Sequence, residues 1–273
     1  MRNTLYLFTA SFPFGTKSET FLETEIKVLA ERFDTVIVVP AQHDGEHMRP
    51  LPANVWVKPW LVEGEPKNAK QLILHHGWLL LRVFLFIWRS SASNRTHYRQ
   101  HFRYYLGKML GELDYYARLK PHLKEIDPNT TTFYTYWFEY SLLALCVLKQ
   151  EGNIKRLVSR AHGFDLYDDR NQGRPIPFRE YKLHHLDGLY CISEHGQNYL
   201  KQRVEKVYHP KINLSYLGVR APKVIPEKPS DHIPLVVSVS SMLDFKRVGL
   251  IAEALQEFPS PIRWIHFGSG PLY

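Results

Sequence analysis

Leu5-Tyr6-Leu7-Phe8-Thr9-Ala10, the turn Ser11-Phe12-Pro13-Phe14-Gly15, and, twenty residues on, Thr35-Val36-Ile37-Val38-Val39 are the residues whose order decides the fold. The first run reads as a strand. The last is an uninterrupted β-branched run, the pattern of a strand covered on both faces. Between them Leu22, Ile26, Leu29 and Phe33 recur at helical spacing, and Thr16-x-x-Glu19 predicts a capping box at the helix start. Strand, helix and strand in that order make a parallel βαβ unit, so the class is α/β. Gly15 stands just ahead of the expected helix start, where free N–H groups and the helix dipole would hold a phosphate or a sugar hydroxyl. An ordinary turn glycine is the plain alternative. The loop has no G-x-G-x-x-G, so a dinucleotide site is not expected.

Outward from this unit, Arg156-Leu157-Val158-Ser159 reads as a buried strand ending in Arg160-Ala161-His162-Gly163-Phe164-Asp165-Leu166-Tyr167-Asp168. Ligands in open α/β sheets sit beyond the carboxyl ends of strands, which makes His162 and Asp165 candidates for chemistry. The alternative is a turn in which Asp165 caps backbone groups. Leu189-Tyr190-Cys191-Ile192 is another strand, delivering Ser193 and Glu194, with Ser193 equally placed to cap a helix over 195–206. Residues 41–68 read as loop around a short strand, Val55-Trp56-Val57. Helices are expected over about 69–88 and 98–126, then a strand over 131–136 and a helix over about 137–150. Residues 170–179 have the composition of a loop that closes over a site, and 213–217 is a short strand.

Pro222, Pro226, Pro229 and Pro234 mark a linker. The expected organisation is a domain over 1–219, a linker over 220–234 and the start of a second domain over 235–273. That start comprises a strand, Leu235 to Ser240, a loop with Lys246-Arg247, a helix, Leu250 to Phe258, and a strand ending in Gly268-Ser269-Gly270-Pro271. One βαβ unit does not bury both faces of its sheet, so this second domain is expected to be unfinished.

A formal charge of +8 in 273 residues favours anionic partners. Nucleic acid ranks last among these, since no polylysine tract or nucleic-acid motif is present. Cys146 and Cys191 lie in apolar runs and read as core residues of a reduced protein. His75 and His76 are adjacent and point to different sides of a helix, so no metal site is expected. The start of the chain lacks the pattern of a signal peptide, and the expected location is cytoplasmic. Leu79 to Trp88 reads as too short and too charged to span a membrane. Trp, Phe and Arg in the helices of 69–126 would suit docking at the inner face of the cell membrane on anionic lipid, against the alternative of internal packing.

Four collinear segments resemble GT-B glycosyltransferases of the family 4 type, which build bacterial surface polysaccharides. They are Phe12-Pro13-Phe14-Gly15 with Glu19-Thr20-Phe21 and Glu25-Ile26; Arg160 through Tyr167; Ile192-Ser193-Glu194 with Gly196 and Tyr199-Leu200; and Ser238-Val239-Ser240 with Lys246-Arg247 and Trp264-x-His266-Phe267-Gly268-x-Gly270-Pro271. The resemblance implies two Rossmann-like domains. It implies transfer of a sugar from a nucleotide-sugar to a saccharide or lipid-linked acceptor, with retention and without a metal or other cofactor. His162 and Asp165 would be catalytic, while Gly15, Lys246 and Arg247 would meet the donor phosphates. Glu19, Ser193 and Glu194 would position acceptor or sugar. Two departures stand out. Ser240-Ser241-Met242 replaces an arginine-bearing loop, and the family's paired glutamates, seven residues apart, lie beyond residue 273. The 273-residue polypeptide is therefore expected to bind nucleotide-sugar poorly and to be inactive unless another chain supplies the remainder. A non-catalytic acceptor-binding or assembly protein is the alternative, and an epimerase or phosphorylase on the same plan a weaker one.

Overall fold

The computed structural model describes residues 3–16, 18–63, 68–89, 92–171, 173–219, 221, 224 and 233–271. Most of the expected linker, including Pro222, Pro226 and Pro229, lies outside them. The chain divides into two compact units, Met1–Arg220 and Ala221–Tyr273. In the first unit the order is β1 (Thr4–Thr9), α1 (Leu22–Arg32), β2 (Thr35–Pro40), β3 (Val55–Val57), α2 (Ala69–Arg89), α3 (Ala92–Gln100), α4 (Phe102–Leu119), β4 (Thr131–Thr135), α5 (Leu142–Gln150), β5 (Arg156–Ala161), α6 (Arg179–His185), β6 (Gly188–Cys191), α7 (Glu194–Lys201) and β7 (Ile212–Leu214). The second holds β8 (Leu235–Val239), α8 (Gly249–Gln256) and β9 (Arg263–Phe267).

The seven strands of the first unit form one sheet in the order β3-β2-β1-β4-β5-β6-β7, and every neighbouring pair is parallel. Alternation along β1 explains its sequence. Leu5 and Leu7 enter a core with Leu22 and Ile26 of α1, while Tyr6 and Phe8 enter the opposite core with Leu79, Leu113 and Leu145. A strand buried on both faces reads as a continuous apolar run. The chain winds outward from β1 to β3 and then returns to β4 on the other side of β1. The strand order therefore reverses between β1 and β4, and a crevice opens at their carboxyl ends. The Rossmann-like α/β class read from the sequence is the class observed.

Three sequence expectations are corrected here. The helix expected from Trp137 begins only at Leu142, because 137–141 are held as a loop: the Phe138 N–H donates to Asp165 and its carbonyl accepts from Lys182, 2.8 Å each. The long helix over 98–126 is broken at His101 (φ −112°, ψ 28°), which separates α3 from α4. The segment 170–179 is no open lid. Ile176 and Phe178 are buried, the Ile176 N–H donates to Asp168 at 3.1 Å, and the segment leads into α6, whose seven residues are too few to show a period.

In the second unit β8 and β9 pair in parallel. Its apolar residues Leu235, Val237, Val239, Ile265 and Phe267 are exposed, as a single βαβ unit requires.

Candidate active site at the carboxyl ends of β1, β4 and β5

Glu19 organises the crevice. Its backbone is left-handed (φ 52°) and its side chain is buried. One carboxylate oxygen accepts from the Ala10 N–H at 2.9 Å and the Trp137 indole N–H at 2.6 Å. The other accepts from the Ser11 and Phe12 N–H groups, 2.7 Å each. A carboxylate has about four lone-pair sites, and all are taken. Glu19 therefore does not reach a sugar; it fixes the loop after β1 to the loop after β4. This also corrects the capping box. With Glu19 turned back to the strand end, α1 starts at Leu22 with no side-chain cap. Gly15 then lies seven residues ahead of the helix rather than at its N-terminus, and its N–H is already donated to the His47 carbonyl at 2.9 Å. Its glycine character has another cause: φ is +77°, and a Cβ would stand 2.9 Å from the Asp44 carbonyl oxygen.

At the end of β5, Asp165 is fully buried. It accepts from the His162 N–H at 2.7 Å and from the Phe138 N–H at 2.8 Å, joining the loops after β4 and β5. Asp165 thus shapes the site rather than meeting a reactant. The His162 ring stacks within Trp137 (4.2 Å between centroids), Tyr136 (4.9 Å) and Phe21 (5.9 Å). It is 7% exposed, and among the described residues neither ring nitrogen has a hydrogen-bond partner. Its Nδ1 stands 3.8 Å from Asp165, too far for a hydrogen bond. Buried polar groups are ordinarily satisfied, and the two ring nitrogens of His162 depart from that rule.

Beside it, Arg160 donates to the Tyr134 hydroxyl (2.8 Å), to Glu25 (3.1 Å) and to the Ser215 carbonyl (3.1 Å). Burial, with the Glu25 charge in support, holds the Tyr134 phenol well above its usual range. This cluster braces β4 and β5 against α1.

Ser193 takes its plainer role: its hydroxyl caps α7, accepting from the Gly196 N–H at 3.1 Å. Glu194 is exposed and accepts from Tyr216 at 3.1 Å. In the second unit Lys246 and Arg247 follow β8 on an exposed turn, Arg247 at φ 53°. Among the described residues neither cation is engaged in a hydrogen bond or ion pair. The turn after β9 lies against this loop: the Met242 N–H donates to Ser269 at 3.0 Å, and a Cβ at Gly270 would stand 2.9 Å from the Met242 carbonyl carbon. Among the described residues no group of three His, Cys, Asp or Glu could hold a metal.

Sequence reasoning missed Trp137 and Tyr136, and it gave no role to Phe21, Glu25 and Arg160 although they stand in the segments that carry the resemblance. The aromatic run Tyr134-Thr135-Tyr136-Trp137-Phe138 at a strand end was the signal available.

No protein-family model matches the chain, and no curated protein matches it in sequence. Several solved structures share its fold. The chain superimposes on lipopolysaccharide outer core galactosyltransferase WaaB in its apo form with a TM-score of 0.55 at 14% identity, covering 98% of this chain and 61% of WaaB. For the N-terminal domain of trehalose-6-phosphate phosphatase from Candida albicans the TM-score is 0.58 at 12% identity, with 100% and 66% covered. For the catalytic domain of starch synthase IV from Arabidopsis thaliana, bound to ADP and acarbose, it is 0.52 at 10% identity, with 99% and 69% covered. The chain thus has the α/β Rossmann-like fold found in GT-B glycosyltransferases, and it spans less than two thirds of the first two of these structures.

Proposed function

We propose that this chain is the acceptor-side part of a retaining glycosyltransferase that acts on a nucleotide-sugar in the assembly of a bacterial surface polysaccharide. The observation that carries the reading is His162, buried and unpartnered where the strand order reverses. In the reaction the bond from the anomeric carbon to the phosphate oxygen breaks, the acceptor oxygen bonds to that carbon, and the acceptor proton passes to the departing phosphate. His162 holds a sugar hydroxyl rather than acting as base. Asp165, Glu19 and Trp137 fix its ring. Lys246 and Arg247 are the cations for the charge gathering on the nucleoside diphosphate, the largest electrostatic demand of such a step. Calorimetric titration with UDP- and GDP-sugars tests this. Weak binding that falls at least tenfold on Lys246→Ala supports the donor role of the basic turn, and binding indifferent to that change, or none, removes it.

The acceptor is proposed to be lipid-linked, because the chain's charge is concentrated beside apolar surface. Residues 66–111 contain eight Lys and Arg and no Asp or Glu, a formal charge equal to that of the whole chain. Helix α2 spans 21 residues and is, by length and composition, apolar enough to cross a membrane, which corrects the shorter stretch read from sequence. Yet Leu72, Leu79 and Val83 are buried in the core of the unit, while Leu74, Trp78, Leu81, Leu85 and Trp88 form an exposed stripe at helical spacing. Arg82 lies over Trp78 at 4.9 Å. One face in the protein and one outward suits a helix lying on an anionic bilayer rather than crossing it. The chain is expected to sediment with phosphatidylglycerol vesicles, less so as salt rises, and to lose at least tenfold of this on Leu81→Glu with Trp88→Glu. Equal affinity for purely zwitterionic vesicles, or none for either, contradicts it.

A further inference from the structure

Phe138 joins the His162 crevice to a second recess: its N–H serves Asp165, and its carbonyl accepts from the Lys182 ammonium at 2.8 Å. That recess is a cavity of about 250 Å³ between α4, the loop after β4 and the start of α6, with Lys108, Glu112, Tyr115, Glu139, Tyr140 and Lys182 in its lining. Pockets for drug-sized ligands run from ~300 Å³ upward, so one ring fits and a nucleotide does not.

Two features mark the cavity as built. Gly107 and Gly111 stand four apart on α4, both in its wall. Glycine is a poorer helix former than alanine, and a Cβ at either position would meet nothing within 4 Å. Both glycines are exposed, so close packing does not demand them, and a side chain at either position would narrow the open side of the cavity. The second feature is the lining chemistry. Lys182 is 2% exposed; its ammonium donates to the Phe138 carbonyl and lies 5.0 Å from the centre of the Phe138 ring, with the Glu112 and Glu139 carboxylates acting on it from the same lining. Burial drives Lys182 downward, against the pull of Glu112. Burial likewise pushes Glu112 up to about 8, with Lys182 opposing. Both move toward their neutral forms. Lys108 and Glu139 neutralise each other at 2.9 Å. Burial raises the Tyr115 and Tyr140 phenols to about 12, so both remain donors. Tyr140 is also held at φ 52°, a left-handed conformation that is strained for a non-glycine residue and clusters at functional sites. The lining is dense in donors and acceptors and balanced in charge.

We propose that this cavity binds one uncharged sugar ring of the acceptor saccharide. The inference rests on the transferase reading for the word acceptor. An uncharged ring with several hydroxyls can pair with carboxyl, phenol and amine groups at once, whereas a phosphate would meet Glu112 and Glu139 and an apolar ligand would strand the polar lining. Filling the cavity steadies Phe138, whose carbonyl accepts from Lys182 and whose N–H donates to Asp165, and hence the His162 N–H that Asp165 also accepts.

The test is saturation-transfer NMR on the whole chain with methyl α-glucoside, methyl α-galactoside and methyl α-mannoside, without nucleotide. At least one is expected to receive saturation. Gly111→Leu, which fills the open wall, is expected to reduce it at least fivefold with an unchanged or raised melting temperature, and Tyr115→Phe to reduce it in a chain of unaltered fold. Lys124→Gln, at an exposed position away from the cavity, should leave it in place. No transfer to any of the three, or transfer that survives Tyr115→Phe and a folded Gly111→Leu undiminished, overturns the proposal. Because no nucleotide is present, that failure is separate from failure of the nucleotide-sugar titration.

Discussion

Replacing Glu19 by alanine is expected to lower the melting temperature of the first unit by about 10 °C. The carboxylate receives four donors, and its loss leaves the Ser11 and Phe12 N–H groups buried without acceptors. Each stranded buried donor costs ~1–3 kcal/mol, so about 3 kcal/mol in total is a moderate expectation, and a domain of this size loses ~2–4 °C per kcal/mol. Glu19→Gln is the sharper variant. Its amide keeps the length and shape but has one acceptor oxygen, so its NH2 must point at two of the four donors. It is expected to be nearly as damaging as alanine. Thermal unfolding by circular dichroism reads both. A glutamine variant that melts with the wild type would mean that the carboxylate is not what ties the loops after β1 and β4 together. Because Trp137 is one of the four donors, both variants should also disorder the ring around His162.

His162→Phe is expected to act in the opposite sense on stability while removing function. The imidazole keeps two unpartnered nitrogens among Trp137, Tyr136 and Phe21. Exchanging a buried unsatisfied polar group for an apolar one of similar shape removes a penalty of ~1–3 kcal/mol. A rise of about 3–6 °C in melting temperature is therefore expected, with at least a tenfold loss of affinity for nucleotide-sugar. His162→Leu guards against overpacking, since phenylalanine is the larger ring. If both variants melt lower than the wild type, the histidine is a satisfied core residue and its place in the site is lost. The pairing of stability gained with binding lost is the signature of a residue kept for function.

The parts of this account legible in the sequence are those in which local pattern and tertiary burial agree. Leu5 to Phe8 are buried on both faces, as are Val36, Val38 and Val39 with Ile37 half-buried between them, and a continuous apolar run is how such strands ordinarily read. His162 was found because it follows a strand end. Glu19 shows where legibility stops. Thr16-x-x-Glu19 satisfies a helix-start pattern, but the carboxylate has better donors in the strand end seven to nine residues back and in Trp137, which is 118 positions away, and no local rule weighs a partner that distant. The segment from Trp137 to Ser141 misled for a related reason. Its apolar residues continue the spacing of α5, yet Asp165 and Lys182 take the backbone of Phe138, and Tyr140 turns left-handed. Lys182 itself was invisible: a lysine on a seven-residue helix reads as exposed until the cavity beside it is seen.

The measurement that bears most directly on the site is a titration of the chain carrying 15N-labelled histidine, with the His162 ring resonances assigned by their absence in His162→Phe. With both ring nitrogens unpartnered, the free chain has little to fix a tautomer, and a sugar hydroxyl bonded to one of them would. A shift of the His162 nitrogens is expected with at least one of UDP-glucose, UDP-galactose, GDP-mannose and ADP-glucose at millimolar concentration, and none with UDP, GDP or ADP alone. Shifts of equal size with the bare nucleotides, or no shift with any nucleotide-sugar, would contradict the assignment of this crevice as a sugar site.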